Sequence, residues 1–199
     1  MRSGGYSRPF KGLTICGDNF VLEKTADGGF LAAVIDGLGH GYEAWGAAEK
    51  AAEVIRASFD LGVSAIVARC HQELRTTRGA AVGVLKIEES GTGEFCGVGN
   101  IEVQALNGQA PSVFCLAGIA GHNMRTSKVM PFQMKSGDIY CLMSDGVSTR
   151  GNLKSCLPGP PVGVARRIVE LWGRAHDDAT AVVVGFGETA LLTDDVEGA

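Results

Sequence analysis

Three apolar, strand-like runs in this chain border on aspartate. LAAVIDGLGHG ends on Asp36, DIYCLMSDGV meets Asp145, and in HDDATAVVV the pair Asp177 and Asp178 opens the run. A carboxylate at the tip of a buried strand is poorly hydrated and is repelled by like charges. Several gathered at one place are therefore costly unless a hard cation sits between them. Singly, each aspartate also reads as an ordinary turn or capping residue. Sharing one strand-end context across long separations, they point to a carboxylate metal enzyme.

The turn at Asp36-Gly37 asks for a backbone that comes close to something bound, with a glycine carbonyl free to face it. Gly39 and Gly41 continue a tight path into a helix. The same stretch, Gly39-x-Gly41-x-x-Ala44 after a strand, is also the skeleton of a dinucleotide-binding turn. The rest of the chain lacks the alternating strands and helices of a doubly wound sheet, which weighs against that alternative.

The elements that must position these groups are short and glycine-bounded. Strands are expected over residues 13–16, 19–23 and 29–35, the last two joined by a turn at 26–29 that delivers Asp36. Helical periodicity runs over 42–59, with Trp45, Ala48, Ala52, Ile55 and Phe59 on one face. A second helix is expected after a Ser64 cap, with Ile66, Val67, Cys70 and Leu74 as its apolar stripe. Strands follow at 80–87, 93–98, 101–106, 112–116, 129–133 and 139–143. Pro160 and Pro161 then open a helix over 162–172, and a strand at 179–186 closes the order. This succession predicts an α+β fold, two packed antiparallel sheets with helices outside. One domain is expected over residues 1–187, followed by an acidic, frayed tail at 188–199.

Composition narrows the function. The formal charge is −4 and the basic residues form no patch, so nucleic acid is not an expected partner. The six cysteines show neither CxxC spacing nor Cys/His pairing and read as small buried hydrophobes of a reducing compartment. The start MRSGGYSRPFKG lacks the apolar centre of a signal peptide, and the longest uncharged stretch is broken by polar residues and proline. A cytoplasmic location with no membrane association is expected.

The order of the motifs resembles the metal-dependent PPM-type serine/threonine protein phosphatases, in particular their SpoIIE-like branch. It is carried by Gly17-Asp18, DGLGHG at 36–41, Gly97-Val98-Gly99-Asn100, AGHN at 120–123, GDIYCLMSDG at 137–146 and DDAT at 177–180, so it covers about residues 12–186. The resemblance implies a four-layer α-β-β-α sandwich and two Mn²⁺ or Mg²⁺ ions. It implies that Asp36 bridges the ions, that the Gly37 carbonyl binds one of them, and that Asp145 and Asp177 hold the other. Asp18 would bind directly or through water, and Asp178 would support the site from behind. The implied chemistry is hydrolysis of phosphoserine or phosphothreonine without a covalent phosphoenzyme.

Departures qualify the roles of the histidines. Animal relatives read DGHGG, whereas here Leu38 takes the histidine position and His40 follows two residues later. His40 is either a general acid or a solvent-facing helix-start residue. His176 adjoins the aspartates, His122 belongs to the AGHN motif, and His71 is expected to face solvent with no role. The lack of any attached regulatory segment resembles the small stressosome phosphatases of the RsbX type, which implies phosphorylated STAS-domain proteins as substrates. Only residues 150–161 separate the Asp145 motif from the last helix, too few for a large flap, which suits a folded protein substrate. The rival from another class is a phosphatase-fold binding module without turnover. Against it stands the retention of every carboxylate position, which electrostatics alone would not preserve.

Overall fold

The computed structural model describes residues 1–188 and 191–193. Its described strands form two antiparallel sheets. One has the order β1 (Arg2–Arg8), β9 (Ala179–Gly185), β8 (Ile139–Met143), β6 (Glu102–Asn107). The other runs β2 (Asp18–Lys24), β3 (Phe30–Gly37), β4 (Ala80–Ile87), β5 (Thr92–Val98), β7 (Met130–Gln133). Helices α1 (Tyr42–Arg56) and α2 (Val63–Glu73) pack on the second sheet, and α3 (Pro161–Trp172) packs on the first. The expected α-β-β-α sandwich is therefore what forms.

Side-chain alternation shows how one chain fills three apolar layers. Along β3, Leu31, Ala33 and Ile35 face α1 and α2, while Phe30, Ala32 and Val34 face the other sheet. Along β9, Ala181 and Val183 face Ile168 and Val169 of α3, while Val182 and Val184 point inward. Both faces of these strands are buried, so they read as continuous apolar runs and not as alternating ones. The buried stripe of α1 is Ala44, Ala47, Ala48, Ala51, Ala52 and Ile55. Small side chains here let the helix lie close to β2 and β3, directly behind the Asp36 turn.

Most sequence-based elements appear within a few residues of their expected limits, and the hairpin from β2 to β3 turns where expected. Four details differ. Residues 13–16 form no strand and instead lead through a bend into β2. Residues 112–116 form none either, because β7 takes the edge of the sheet and only Leu116 bridges to Val98. The first turn of α2 is preceded by Gly62 with no side-chain cap, and Ser64 lies inside the helix, its hydroxyl 2.9 Å from that of Ser127. Strand β1 was not expected, since RSGGYSR lacks a β-forming pattern. Its glycines are required by packing: a Cβ on Gly4 would strike Val162 of α3, and one on Gly5 would strike the Phe20 ring.

The expected frayed tail is a further correction in part. Leu192 is fully buried against the α3 cluster, Gly159 N–H donates to Leu191 O at 3.1 Å, and Thr193 N–H donates to Gly159 O at 3.2 Å. The Arg2 guanidinium donates to Leu192 O. Residues 189–190 and 194–199 of the expected tail lie outside the described residues. Leu192→Ala should lower the unfolding free energy by about 2–3 kcal/mol, as expected for a buried leucine. Leu171→Ala, at a side chain 64% exposed on α3, should stay within about 0.5 kcal/mol of the parent. Urea denaturation compares them, and equal stabilities would mean that the segment around Leu192 is not docked.

Candidate metal centre

Sheet register brings the aspartates to one end of the sandwich. In the β2–β3 ladder Asp18 lies opposite Asp36. Asp145 follows the end of β8, and Asp177 and Asp178 immediately precede its neighbour β9. The two sheets are tied together at this end by Ser144, whose hydroxyl donates to Asp18 Oδ2 at 2.6 Å and accepts the Thr180 N–H at 3.0 Å. Gly37 is the one residue type that fits its place: a Cβ there would run into the carbonyls of Ala44 in α1 and Gly17.

The carboxylates act on one another through their charges. Burial, then the charges of Asp18, Asp145 and Asp177, push the Asp36 carboxyl up to about 9. Burial likewise pushes Asp18 up to about 7, although hydrogen bonds from Ser144 and Thr180 pull the other way. Asp177 is raised by burial and by Asp145. Asp145 Oδ2 accepts a hydrogen bond from Asn100 Nδ2 at 2.8 Å. Asp178 stands behind this group, 3% exposed, with Oδ1 accepting the Phe10 N–H at 2.8 Å and Oδ2 buried without a hydrogen-bond partner. The neighbouring Cys16 thiol is pushed up, first by burial and then by Asp18, with Asp178 adding to it, so it stays protonated and unreactive.

These residues fit hard divalent cations. The donor set is carboxylate and carbonyl oxygen, the type preferred by Mg²⁺ and Mn²⁺ over softer metals. Its negative charges are gathered where water screens them poorly, and one buried oxygen of Asp178 lacks any partner. Among the described residues no three His, Cys, Asp or Glu side chains are disposed to enclose a single ion.

The rim of the site places the histidines. His40 is exposed and stacks on the Phe10 ring at 5.1 Å, next to the segment that holds Asp178. His122 sits across the turn, its Nε2 2.8 Å from Arg78 O. His176 faces the cluster closely enough to pull Asp177 down slightly against the other influences. His71, to which the sequence assigns nothing, accepts the Gly121 N–H at 3.0 Å and so fixes the AGHN loop against α2. Sequence reasoning also missed the roles of Ser144 and Asn100. Both lie inside motifs already singled out, and short polar side chains within those motifs were the available signal. Two hollows flank the centre: one of about 880 Å³ beside Leu38, and one of about 400 Å³ lined by Asn100, Phe114 and Asp145.

Comparison with known proteins agrees with this geometry. No family model matches the chain. Phosphoserine phosphatase RsbX of Bacillus subtilis (strain 168) is 25% identical over 181 residues, covering 88% of this chain and 89% of that protein. A solved RsbX in complex with magnesium is 24% identical, with a TM-score of 0.77 over 91% of this chain and 92% of that one. A chain solved in work on the bacterial stressosome, as a modular system adapted to control secondary messenger signalling, is 29% identical. Its TM-score is 0.79 over 92% of this chain and 97% of that one. The catalytic domain of the phosphatase PstP with 2 manganese ions is 17% identical, with a TM-score of 0.67 over 94% of this chain and 98% of that one. The chain has the PPM-type phosphatase fold, and the likeness to RsbX holds in both sequence and structure.

Two outcomes follow for the protein in solution. Carboxyls raised above the ordinary value near 4 hold their protons in the folded chain while the unfolded chain releases them. Without metal, stability should therefore be full below about pH 4 and fall as pH rises through about 7 and 9, by on the order of 1–3 kcal/mol between pH 5 and 8.5. Mn²⁺ at 100 times its dissociation constant should return about 2.7 kcal/mol at the higher pH. Thermal melts across pH with EDTA or Mn²⁺ read both effects, and a pH-independent, metal-insensitive melting temperature would contradict the cluster. Second, Asn100→Ala should weaken Mn²⁺ binding by about 10–100-fold in calorimetric titration, because Asp145 loses the donor that orients it. Unchanged affinity would make that hydrogen bond incidental.

Proposed function

We infer that this chain is a metal-dependent phosphoserine/phosphothreonine protein phosphatase that acts on phosphorylated STAS-domain proteins of a stressosome and so resets a stress signal. The observation that carries the reading is the convergence of Asp18, Asp36, Asp145 and Asp177 at one end of a PPM-type sandwich, where Asp18, Asp145 and Asp177 all act to raise the Asp36 carboxyl. RsbX is a phosphoserine phosphatase, and its likeness extends over nearly the whole of both chains. The stressosome part rests on that relative and on the 29% identical chain from stressosome work.

In this reading Asp36, the Gly37 carbonyl, Asp145 and Asp177 would hold two Mn²⁺ or Mg²⁺ ions. When bound, such a pair supplies positive charge to the phosphoryl oxygens and makes a water acidic enough to attack in line with the phosphorus. The chain's own residues prepare that arrangement. Ser144 holds Asp18 at 2.6 Å, so this carboxylate reaches the centre directly or through water. Asn100 occupies Asp145 Oδ2 and leaves the other oxygen for an ion. Asp178 anchors the Phe10 segment, which in turn carries the stacked His40 imidazole. His40 is then the group placed at the rim to give a proton to the departing serine oxygen, a role worth typically 10²–10⁴-fold when the leaving group needs one.

The test has two arms. Asp36→Asn should abolish Mn²⁺-dependent hydrolysis of a chromogenic phosphate ester while the chain stays folded by circular dichroism. Turnover within tenfold of the parent, or full activity in excess EDTA, would remove the metal-phosphatase reading. Phosphorylated STAS-domain scaffold and antagonist proteins should then lose phosphate at least tenfold faster than an unrelated phosphoprotein. Equal rates would remove the stressosome assignment and keep the phosphatase.

A further inference from the structure

The larger hollow beside the carboxylates is built from the same loop that carries Asp36. It measures about 880 Å³ and is lined by Leu38, Tyr42, Gly46, Ala47, Arg78 and His122, among others. Leu38 follows Gly37 directly, so its Cα is only about 3.8 Å from a residue of the metal centre. The Leu38 N–H donates to Gly79 O at 3.0 Å, which holds the loop against the Arg78 turn. Leu38 is 48% exposed and Tyr42 is 71% exposed, an unusual amount of uncovered apolar surface at a helix start. Arg78 is ion-paired with Glu43 at the rim, so its charge is already answered.

Gly46 is the informative residue. It lies at the start of the second turn of α1, where glycine is a poorer helix former than alanine. Packing does not require it: a Cβ built on Gly46 would meet nothing within 4 Å. Elsewhere the glycines Gly4, Gly5 and Gly37 are demanded by close neighbours, whereas here the missing side chain leaves open space in the wall of the hollow. A helix that gives up propensity to keep a cavity empty has that cavity available for something else.

We propose that this groove receives an apolar side chain flanking the phosphorylated residue of the substrate protein. The proposal rests on the phosphatase reading and adds a sequence preference to it. The occupant follows from the direct chain link between the Asp36-Gly37 turn and Leu38: a substrate that presents its phosphoserine to the carboxylates has its adjacent residues within reach of the Leu38 loop. The groove's apolar lining and its internally paired rim charges select a leucine-like side chain over a charged one. Small phosphate esters, which have no flanking residue, do not reach it.

The experiment uses the full chain with Mn²⁺, p-nitrophenyl phosphate, and phosphoserine peptides in which a single leucine is moved through the two positions on either side, against an all-glycine/serine background. At one position leucine should raise kcat/KM at least about tenfold, an effect of the size a filled apolar pocket gives. Gly46→Leu, whose Cβ would meet nothing within 4 Å and whose side chain would extend into the open wall, should lower the ratio of kcat/KM on that peptide to kcat/KM on p-nitrophenyl phosphate by about tenfold. The loss should appear mainly in KM, and Gly46→Ala should lie between. Melting temperatures no lower than the parent's confirm that the variants are folded. If p-nitrophenyl phosphate is hydrolysed but no leucine position is preferred, or Gly46→Leu leaves the ratio unchanged, the groove proposal is overturned and the phosphatase stands. If nothing is hydrolysed, both fall. A change in sedimentation with Gly46→Leu and an unchanged peptide ratio would make the groove a contact between copies of the chain, which also overturns it.

Discussion

The repulsion among carboxylates that the fold forces together governs this structure. Asp18 and Asp36 face each other across a ladder, half-buried Asp145 and Asp177 come in from the other sheet, and burial limits the water that would screen Asp18 and Asp36. A protein folding for stability alone would separate or neutralise these groups. The sandwich instead holds them by strands whose register cannot slip without moving every apolar side chain to the wrong face. The electrostatic cost is thus stored in the part of the molecule best able to resist it.

Supporting contacts are arranged around that cost. Ser144 sits between the sheets and makes one hydroxyl serve both Asp18 and the Thr180 backbone. Asn100 orients Asp145 from the loop after β5. Phe10 closes the centre from the N-terminal side through Asp178 and presents a ring to His40. His71 and the AGHN loop brace the opposite rim. No single element owns the site, which is why its residues are scattered over most of the chain.

The surroundings of the centre set an apolar groove next to the loop that carries Asp36. The Leu38 loop is shared between the carboxylate centre and the apolar groove, so one turn joins chemistry to recognition. The alanine stripe that seats α1 on the sheet faces one way, and the open wall at Gly46 faces another. The same helix therefore supports the centre and shapes its approach.

Much of this was legible in the residues themselves. The strand-end aspartates, the order of the motifs and the succession of short apolar runs follow from local chemistry: buried strands need apolar side chains, and turns need glycine. The α+β sandwich and the gathering of Asp36, Asp145 and Asp177 could therefore be read directly. What depends on distant partners could not. Strand β1 exists because α3 and Phe20 leave room only for glycine, residues 112–116 stay out of the sheet because β7 holds its edge, and Leu192 is buried because α3 offers it a cavity. Ser144 and Asn100 lie inside recognised motifs and His71 on a helix, yet which partner each holds is decided only when the fold places an acceptor or donor beside it. The sequence determined which groups carry charge and which segments must be buried, since both are properties of single residues and short runs. Only tertiary structure decided which charges meet, which hydrogen bonds hold them and where space is left open, since those depend on pairs of residues far apart in the chain.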